Sequence, residues 1–235
     1  MKNLLIITPV KDSIVTSFEA ITHICQSKKD YPYLVYNDLS LPESRTVLEH
    51  GSVVGYELIN IEDWVDTPSP NYRFALIDAQ KKALELDAHL LIVESDVFIK
   101  PDTIARLYNL AEKEEHCGMV AAVTTNESGE INYPYDHLSK DSTGILKTRH
   151  RISFCCTILT NDLLKSIDFN MLSKDKHWYD VQISKLSRKK GFRNLIDTDL
   201  KVVHLPHSSR PWKKLKYENP LKYYLNKYFK KLDKI

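Results

Sequence analysis

Runs of consecutive apolar residues alternate along the first part of the chain with segments in which apolar residues recur at helical spacing. The apolar runs predict buried strands at residues 3–8, 33–36, 56–61, 89–93 and 119–123. The periodic segments predict two helices whose start signals lie at 16–19 and 40–43, and two further helices over 72–86 and 101–115. Fully apolar strands that alternate with helices favour an α/β fold, with a mainly parallel central sheet and helices on both faces.

Local signals predict where several of these elements begin and end. The Ser/Thr-x-x-Glu patterns at 16–19 and 40–43 are typical of capping boxes, in which the first and last side chains satisfy backbone groups at a helix start. Pro9 is expected to end the first strand. Gly191 is expected to stop a helix in the second half of the chain.

The pattern changes after residue 125. Residues 126–150 are polar and rich in turn-forming residues, which predicts a long surface excursion. Beyond them the sequence predicts strands at 152–159 and 200–204, and helices at 161–167 and 176–190. With no internal repeat and no low-complexity linker, one domain with an irregular second half is the simplest organisation.

Composition excludes several classes of protein. A hydrophobic content of 43% is too high for a disordered chain, and four cysteines in 235 residues are too few for a disulfide scaffold. The net charge of +2 gives no signal for nucleic-acid binding. The six glycines form neither a G-x-G-x-x-G nor a G-x-x-x-x-G-K-[ST] loop, which excludes Rossmann dinucleotide enzymes and P-loop enzymes.

The C-terminal segment differs from the rest in charge. Residues 210–235 contain nine basic and two acidic residues, whereas the remainder contains 24 basic and 29 acidic residues. Leucine and tyrosine recur there at helical spacing, which is typical either of a basic amphipathic helix on an anionic membrane or of a helix packed on the acidic body. The N-terminal apolar run is too short for a signal sequence, and no stretch reaches the ~20 apolar residues of a membrane span. We expect a cytoplasmic protein, at the cytoplasmic face of a membrane if the tail binds lipid.

Two adjacent cysteines, Cys155 and Cys156, have two interpretations. They could belong to a zinc site, or they could be buried in the predicted strand 152–159. They lack the C-x-x-C spacing of a zinc ligand pair. Their apolar surroundings favour buried strand cysteines.

Polar side chains follow the predicted strands, where open α/β sheets bind ligands. They are Thr8, Pro9, Lys11, Asp12, Asn37, Asp38, Glu94, Ser95, Asp96 and His204. Glu94 and Asp96 are two positions apart, so on a continuing strand their carboxylates point to the same side. Such carboxylates repel unless a cation or a donor lies between them. This motif alone leaves a divalent-cation site and a solvent-exposed strand end equally open.

The order of these strand ends resembles that of the family 2 glycosyltransferases, inverting enzymes of the GT-A (nucleotide-diphospho-sugar transferase) fold. The similar motifs are Ile7-Thr8-Pro9, Asn37-Asp38-Leu39-Ser40, Tyr72-Arg73, Glu94-Ser95-Asp96 followed by Pro101, Tyr179-Asp180 followed by Gly191-Phe192, and His204. The resemblance covers roughly residues 3–207. The chain departs from the family at four positions, where Asn37, Glu94, Tyr179 and Gln182 replace acidic residues of the pattern.

The resemblance implies a metal-dependent enzyme that transfers a sugar from a nucleotide-diphosphate donor to an acceptor hydroxyl, in glycan or polysaccharide synthesis. Asp96 and His204 would bind Mn²⁺ or Mg²⁺, with His207 able to replace His204. Asp180 would be the general base. Asp38 or Asn37 would contact the nucleotide base, and Arg73 would contact the base or the diphosphate. Glu94 would contact the ribose or a metal-bound water. The complete donor-binding set is Thr8, Pro9, Asn37, Asp38, Arg73, Glu94 and Ser95.

Several of these residues also have a purely structural interpretation. Arg73 could be a solvated charge on a helix face, His204 a structural histidine, and Asp180 a residue favoured by the helix dipole. A basic cluster, Lys147, Arg149, His150 and Arg151, could contact phosphate, but an exposed loop is the favoured interpretation.

The resemblance further implies a nucleotide-binding half at 1–125, an acceptor half at 126–207 and a tail at 208–235. A UDP-sugar is the first expected donor and a GDP-sugar the second, with a glycan or lipid-linked acceptor and no nucleic-acid partner. Two rivals remain: a sugar nucleotidyltransferase, which would need a glycine-rich loop after the first strand, and a non-catalytic nucleotide-binding protein of the same fold.

Overall fold

Consecutive apolar residues build a sheet whose strands are buried on both sides. The computed structural model describes residues 3–139, 142–174 and 178–205, together with 221, 224 and 225. The strands in these ranges are β1 (Asn3–Val10), β2 (Tyr33–Asn37), β3 (Glu57–Asn60), β4 (Ala88–Val93), β5 (Val97–Phe98), β6 (Cys117–Thr125), β7 (Ile145–Thr148), β8 (Cys156–Leu159) and β9 (Arg193–His204). The α-helices are α1 (Ile14–Ser27), α2 (Pro42–Gly51), α3 (Tyr72–Glu85), α4 (Thr103–Lys113), α5 (Asn161–Ser166) and α6 (Tyr179–Lys189).

All the strands of the described residues belong to one sheet. Its order is β3-β2-β1-β4-β8-β6-β9-β5, and β7 pairs with β9. Pairing is parallel between β3 and β2, β2 and β1, β1 and β4, and β6 and β9. The strands β8, β5 and β7 are each antiparallel to their neighbours. The sheet is therefore mainly parallel, as the sequence predicts.

Side-chain alternation along the strands produces two apolar cores, one on each face. Leu5 and Ile7 of β1 pack in the core that includes Leu76 of α3. Leu4 and Ile6 pack in the core that includes Ile24 of α1. Because both faces of the central strands are covered, only the ends of the strands can present polar groups to a ligand.

The polar stretch 126–150 differs from the prediction. Residues Ile145–Thr148 form β7, which pairs antiparallel with the long strand β9 and leaves Ile145 and Leu146 partly exposed. This edge strand depends on its partner, since the local sequence has no continuous apolar run. In the same region, the predicted strand 152–159 begins only at Cys156, whereas the predicted strand 200–204 extends back to Arg193.

Neither predicted capping box forms. α1 begins at Ile14, with Ser13 before it at φ 49° and no side-chain cap. α2 begins at Pro42, and its preceding residue is Leu41. The hydroxyl of Ser40 instead accepts a hydrogen bond from the backbone of Asp12. β1 also continues through Pro9 to Val10, so the proline does not end it.

Gly191 ends α6 as predicted, at φ +88°. The start predicted for this helix lies in residues 175–177, which are outside the described residues. Of the predicted tail, Leu221, Tyr224 and Leu225 are described and are helical and exposed. Among the described residues, no helix is long and apolar enough to span a membrane.

Candidate functional site

Hydrogen bonds tie the loops after β1 and β2 together at one edge of the sheet. Asp12 accepts a 2.7 Å hydrogen bond from the backbone N–H of Leu41, and its own N–H donates to Ser40. The Lys11 ammonium donates to the carbonyl of Leu39. These contacts assign Lys11 and Asp12 to loop structure.

Asp38 holds the turn that leads into α3. Its Oδ2 accepts hydrogen bonds from the Ser69 hydroxyl and the Asn71 backbone N–H, both at 2.7 Å, and its Oδ1 accepts from the Asn71 side chain at 2.9 Å. The side chain is buried. Asp38 therefore anchors the loop that precedes α3. A contact between Asp38 and a nucleotide base would be additional to these three hydrogen bonds.

Asn37 and Thr8 are fully buried and bonded internally. Asn37 donates to the side chain of Asn60 at 2.8 Å and accepts from the backbone of Ser40 at 3.2 Å. The Thr8 hydroxyl accepts from the Tyr33 hydroxyl at 2.9 Å. These contacts fix the ends of three neighbouring strands. The expected contacts of Thr8, Pro9 and Asn37 with a nucleotide remain predictions.

Arg73 connects α3 to the segment before α6. Its guanidinium donates to the carbonyl of Asn170 at 2.6 Å and to that of Leu172 at 3.2 Å. It is therefore not simply a solvated charge on a helix face. Its predicted contact with a base or diphosphate is untested.

The residues Glu94, Ser95 and Asp96 form a tight turn between β4 and β5, in which the Val97 N–H donates to the Glu94 carbonyl at 3.1 Å. The expectation of a continuing strand is wrong, because the chain reverses here to pair β5 with β9. The two carboxylates nevertheless remain close to one imidazole, that of His204.

Asp96 and His204 form the buried centre of the site. Val97 pairs with His204 across the antiparallel strands β5 and β9, and the Leu205 N–H donates to the Asp96 carbonyl at 2.9 Å. The Nε2 atom of His204 lies 3.6 Å from Oδ2 of Asp96, with the two side chains 1% and 4% exposed. This separation is too long for a hydrogen bond.

The carbonyl of Tyr133 determines the tautomer of His204. It lies 2.8 Å from Nδ1, and because a carbonyl only accepts, Nδ1 carries the proton. The other ring nitrogen, Nε2, faces Asp96. Within the described ranges, Nε2 has no hydrogen-bond partner. A histidine that donates one ring N–H to a backbone carbonyl is in the arrangement typical of a metal ligand.

Cys155 adds a sulfur to this centre. It precedes β8, and its thiol lies 3.3 Å from Oε2 of Glu94. Both cysteines are buried, as expected: Cys156 begins β8 and burial raises its pKa to about 12, whereas Cys155 lies one residue before the strand. Sequence reasoning missed this position because the turn at Glu94 and the end of β9 come together only in the folded chain.

Asp180 lies in the first turn of α6, half-buried beside Arg151. An Nη1 atom of Arg151 is 3.8 Å from Oδ2 of Asp180, and Nη2 donates to the Tyr133 hydroxyl at 3.1 Å. Lys147, Arg149 and His150 are exposed as expected, but the side chain of Arg151 is only 14% exposed. The expectation of an exposed loop is therefore wrong for Arg151.

Two tyrosines join Asp180 to the metal-ligand candidates. Tyr133 contacts His204 through its carbonyl and Arg151 through its hydroxyl. Burial raises the pKa of Tyr135 far above its ordinary value, and the nearby charges of Cys155 and Asp180 raise it further. The Tyr135 hydroxyl accepts a 3.2 Å hydrogen bond from the backbone N–H of Ser153, two residues before Cys155. His207, the alternative for His204, lies outside the described residues.

No protein-family model matches the sequence, and no curated protein matches it. Solved structures do share its fold. The mannosyltransferase PcManGT from Pyrobaculum calidifontis, in complex with GDP-Man and Mn²⁺, has a TM-score of 0.60 and 15% identity over 92% of this chain and 62% of its own. GalNAc-T7 with UDP, GalNAc and Mn²⁺ has a TM-score of 0.66 and 11% identity over 89% of this chain and 45% of its own.

A third similar structure is glucosyl-3-phosphoglycerate synthase from Mycobacterium tuberculosis, in complex with Mg²⁺ and UDP. Its TM-score is 0.58 at 12% identity, over 91% of this chain and 74% of its own. These likenesses confirm the predicted GT-A fold. This chain spans 62% and 45% of the lengths of the first two proteins. The likeness shows the fold, so activity must be argued from the site.

Proposed function

We propose that this chain is a metal-dependent glycosyltransferase that moves a sugar from a nucleotide-diphosphate donor to an acceptor hydroxyl, with inversion at the transferred carbon. The observation that carries the proposal is the pairing of buried Asp96 with Nε2 of His204, next to the carboxyl end of β4 in a GT-A fold. Open α/β sheets bind their ligands at this place.

The residues fit a divalent cation. Asp96 supplies a carboxylate, and His204 supplies a nitrogen whose tautomer is already set by Tyr133. Two charges or lone pairs that face each other in a dry interior repel unless a cation or proton lies between them. When bound, Mn²⁺ or Mg²⁺ would stabilise the charge that develops on the leaving diphosphate. Few protein ligands suffice, because such ions usually retain water and phosphate oxygens.

The donor edge would be formed by the carboxyl ends of β1, β2 and β4. Asp38 supports this edge by fixing Asn71 at the start of α3, and the Asn37–Asn60 contact holds β2 and β3 together. Thr8, Pro9, Asn37, Asp38, Arg73, Glu94 and Ser95 remain the proposed donor-binding residues. The internal hydrogen bonds of Thr8, Asn37 and Asp38 support a preorganised wall, which reduces the loss of conformational entropy when a nucleotide binds.

Asp180 is the proposed general base. It would accept the proton of the acceptor hydroxyl as that oxygen attacks the sugar carbon opposite the departing nucleotide. Arg151 supports the role by holding Oδ2 from one side, while Tyr133 holds Arg151. Tyr133 would thereby link the position of the base to the position of His204.

The donor is proposed to be a UDP-sugar first and a GDP-sugar second, and both bases occur in the solved structures of similar fold. The acceptor is proposed to be a glycan or a lipid-linked glycan. Residues 1–125 would form the nucleotide half and 126–207 the acceptor half. The basic tail, 208–235, would contact an anionic membrane surface at the cytoplasmic face.

A thermal-shift screen of nucleotides tests the function without knowledge of the acceptor. We expect UDP or GDP to raise the unfolding temperature only when Mn²⁺ or Mg²⁺ is present. A nucleotide at 100 times its Kd adds ~2.7 kcal/mol to the free energy of unfolding. No shift with any nucleoside diphosphate in the presence of either metal would contradict the proposal.

A further inference from the structure

Three different kinds of metal ligand meet beside Asp96. A carboxylate oxygen of Glu94, the sulfur of Cys155 and a ring nitrogen of His204 all lie within 4.8 Å of one another. Cys155 and His204 are each 1% exposed, and Glu94 is half-buried. A donor set of thiolate, imidazole and carboxylate differs from the oxygen-rich set that Mg²⁺ prefers.

We propose that Glu94, Cys155 and His204 form a binding site for Zn²⁺ that shares His204 with the Mn²⁺ or Mg²⁺ site of the proposed function. Zinc accepts sulfur, nitrogen and oxygen ligands, and three protein ligands with one open position are typical of reactive zinc sites. On binding, the Cys155 thiol releases its proton to solvent and the sulfur bonds to the metal.

The geometry is close to what zinc requires. Bond lengths of about 2.0–2.3 Å in a tetrahedral site separate the ligand atoms by about 3.4–3.6 Å. The sulfur of Cys155 and Oε2 of Glu94 are 3.3 Å apart, and the third ligand lies within 4.8 Å of both. Side-chain rotation that brings the third ligand closer to the other two would place all three on one ion.

Groups around the ligands already orient them. The Tyr133 carbonyl fixes the Nδ1–H tautomer of His204, which leaves Nε2 as the ligand atom. The Ser153 hydroxyl lies 3.2 Å from the sulfur of Cys155 and can donate to a thiolate. The Glu94 N–H donates to the Cys155 carbonyl at 3.0 Å, which fixes the two backbones relative to each other.

The consequence for function rests on the proposed transferase activity. His204 cannot ligate two ions at once, so Zn²⁺ and Mn²⁺ would compete for it. Cys155 would then determine metal specificity, because its sulfur favours Zn²⁺ over the hard cations. The zinc site itself does not depend on nucleotide binding.

Cobalt is the probe for the test, because Co²⁺ occupies zinc sites and a thiolate ligand gives a near-ultraviolet charge-transfer band. Co²⁺ is titrated into the full chain without nucleotide, and Zn²⁺ is then added. We expect a band that Zn²⁺ abolishes, that is absent in Cys155→Ala and that persists in the matched control Cys156→Ala. Zinc affinity should fall by more than about 100-fold in Cys155→Ala, since even outer-shell partners contribute about 10–100-fold.

A second measurement uses the unmodified protein, so its result does not depend on whether a variant folds. X-ray absorption of the Zn²⁺-loaded chain should show one sulfur at about 2.3 Å together with nitrogen and oxygen at about 2.0–2.2 Å. A shell of nitrogen and oxygen alone, or a cobalt band that survives Cys155→Ala, would overturn the proposal. Failure of UDP to bind in the presence of Mn²⁺ would contradict the proposed transferase activity. It would leave the conclusion about the zinc site unaffected.

Discussion

Oδ2 of Asp96 and Nε2 of His204 face each other across 3.6 Å in a buried part of the fold. They arrive there because β5, which directly follows Asp96, pairs antiparallel with the end of β9. The Tyr133 carbonyl then directs the imidazole so that Nε2 faces the carboxylate. Neither side chain is needed to complete an apolar core, and their juxtaposition is the strongest sign of a cation site.

His204→Asn should weaken Mn²⁺ binding while preserving the fold. Asparagine can still donate to the Tyr133 carbonyl from the position of Nδ1, but it has no atom at the position of Nε2. We expect the Kd for Mn²⁺ to rise more than about 10-fold, as even outer-shell changes at metal sites do. The free-Mn²⁺ signal in electron paramagnetic resonance measures it. An unchanged Kd would remove His204 from the metal site.

Asp180→Asn should keep donor binding and lower turnover by roughly 10²–10⁴, because the near-isosteric amide cannot accept the acceptor proton. Slow donor hydrolysis to water provides the assay while the acceptor is unknown. Asp162→Asn is a matched control, since Asp162 also lies in the first turn of a helix but is exposed on α5. Parental turnover in Asp180→Asn would place the base elsewhere, and loss of donor binding would move Asp180 into the donor site.

Asp38→Ala should destabilise the protein as a whole. The change removes the carboxylate that accepts three hydrogen bonds. The backbone N–H and the side-chain amide of buried Asn71 then lose this acceptor. Hydrogen bonds to charged groups contribute about 1.5–3 kcal/mol each, so we expect a loss of about 3 kcal/mol or more in urea unfolding.

Ser69→Ala is the control for this experiment. It removes a single donor to Asp38 and should cost about 1.5–3 kcal/mol, less than the loss of all three hydrogen bonds. If Asp38→Ala unfolds within about 0.5 kcal/mol of the parent, Asp38 is not the anchor that its contacts indicate, and its role would be confined to ligand binding.

Stability should fall at alkaline pH because of buried thiols. Burial raises the pKa of Cys117 and Cys156 from 9.0 to about 12, so the unfolded chain loses these protons first. The stabilisation is complete below pH 9.0 and is lost as pH rises towards about 12. Within that window, each thiol lowers the free energy of unfolding by up to about 1.4 kcal/mol for each unit of increase in pH.

Urea unfolding at several pH values above 9.0 measures this effect. Cys156→Ala should show a smaller decrease with pH than the parent, because one of the two shifted groups has been removed. The same pH dependence in both proteins would show that Cys156 is accessible to ionisation in the folded state.

Local sequence patterns predicted the central strands and helices because these are determined by short-range periodicity. The helix 72–86 is an example: Ala75, Leu76, Ala79 and Ala83 were expected on one face, and all four are buried. By contrast, β7 has exposed residues and exists through its pairing with β9, which no local pattern encodes. The capping box at 40–43 failed because Ser40 bonds to Asp12 in a different loop, a long-range contact, and the box at 16–19 failed because α1 already begins at Ile14.

In the candidate site, too, local patterns identify some residues, whereas others depend on long-range contacts. Asp96 and His204 could be selected because each follows an apolar strand, and the structure brings them together. Cys155 and Arg151 could not, because their significance depends on Glu94 and Asp180, which are distant in sequence. The roles of Thr8, Pro9, Asn37, Asp38, Arg73, Glu94 and Ser95 in binding a donor stay predictions.

The central claim is that Asp96 and His204 hold the cation on which nucleoside diphosphate binding depends. Calorimetric titration of UDP, and then GDP, into the parent, Asp96→Asn and Glu94→Gln with and without Mn²⁺ tests it most directly. The account predicts Mn²⁺-dependent binding to the parent, none to Asp96→Asn and weakened binding to Glu94→Gln. An absence of affinity for both nucleotides in the parent with Mn²⁺, or parental affinity in Asp96→Asn, would contradict it.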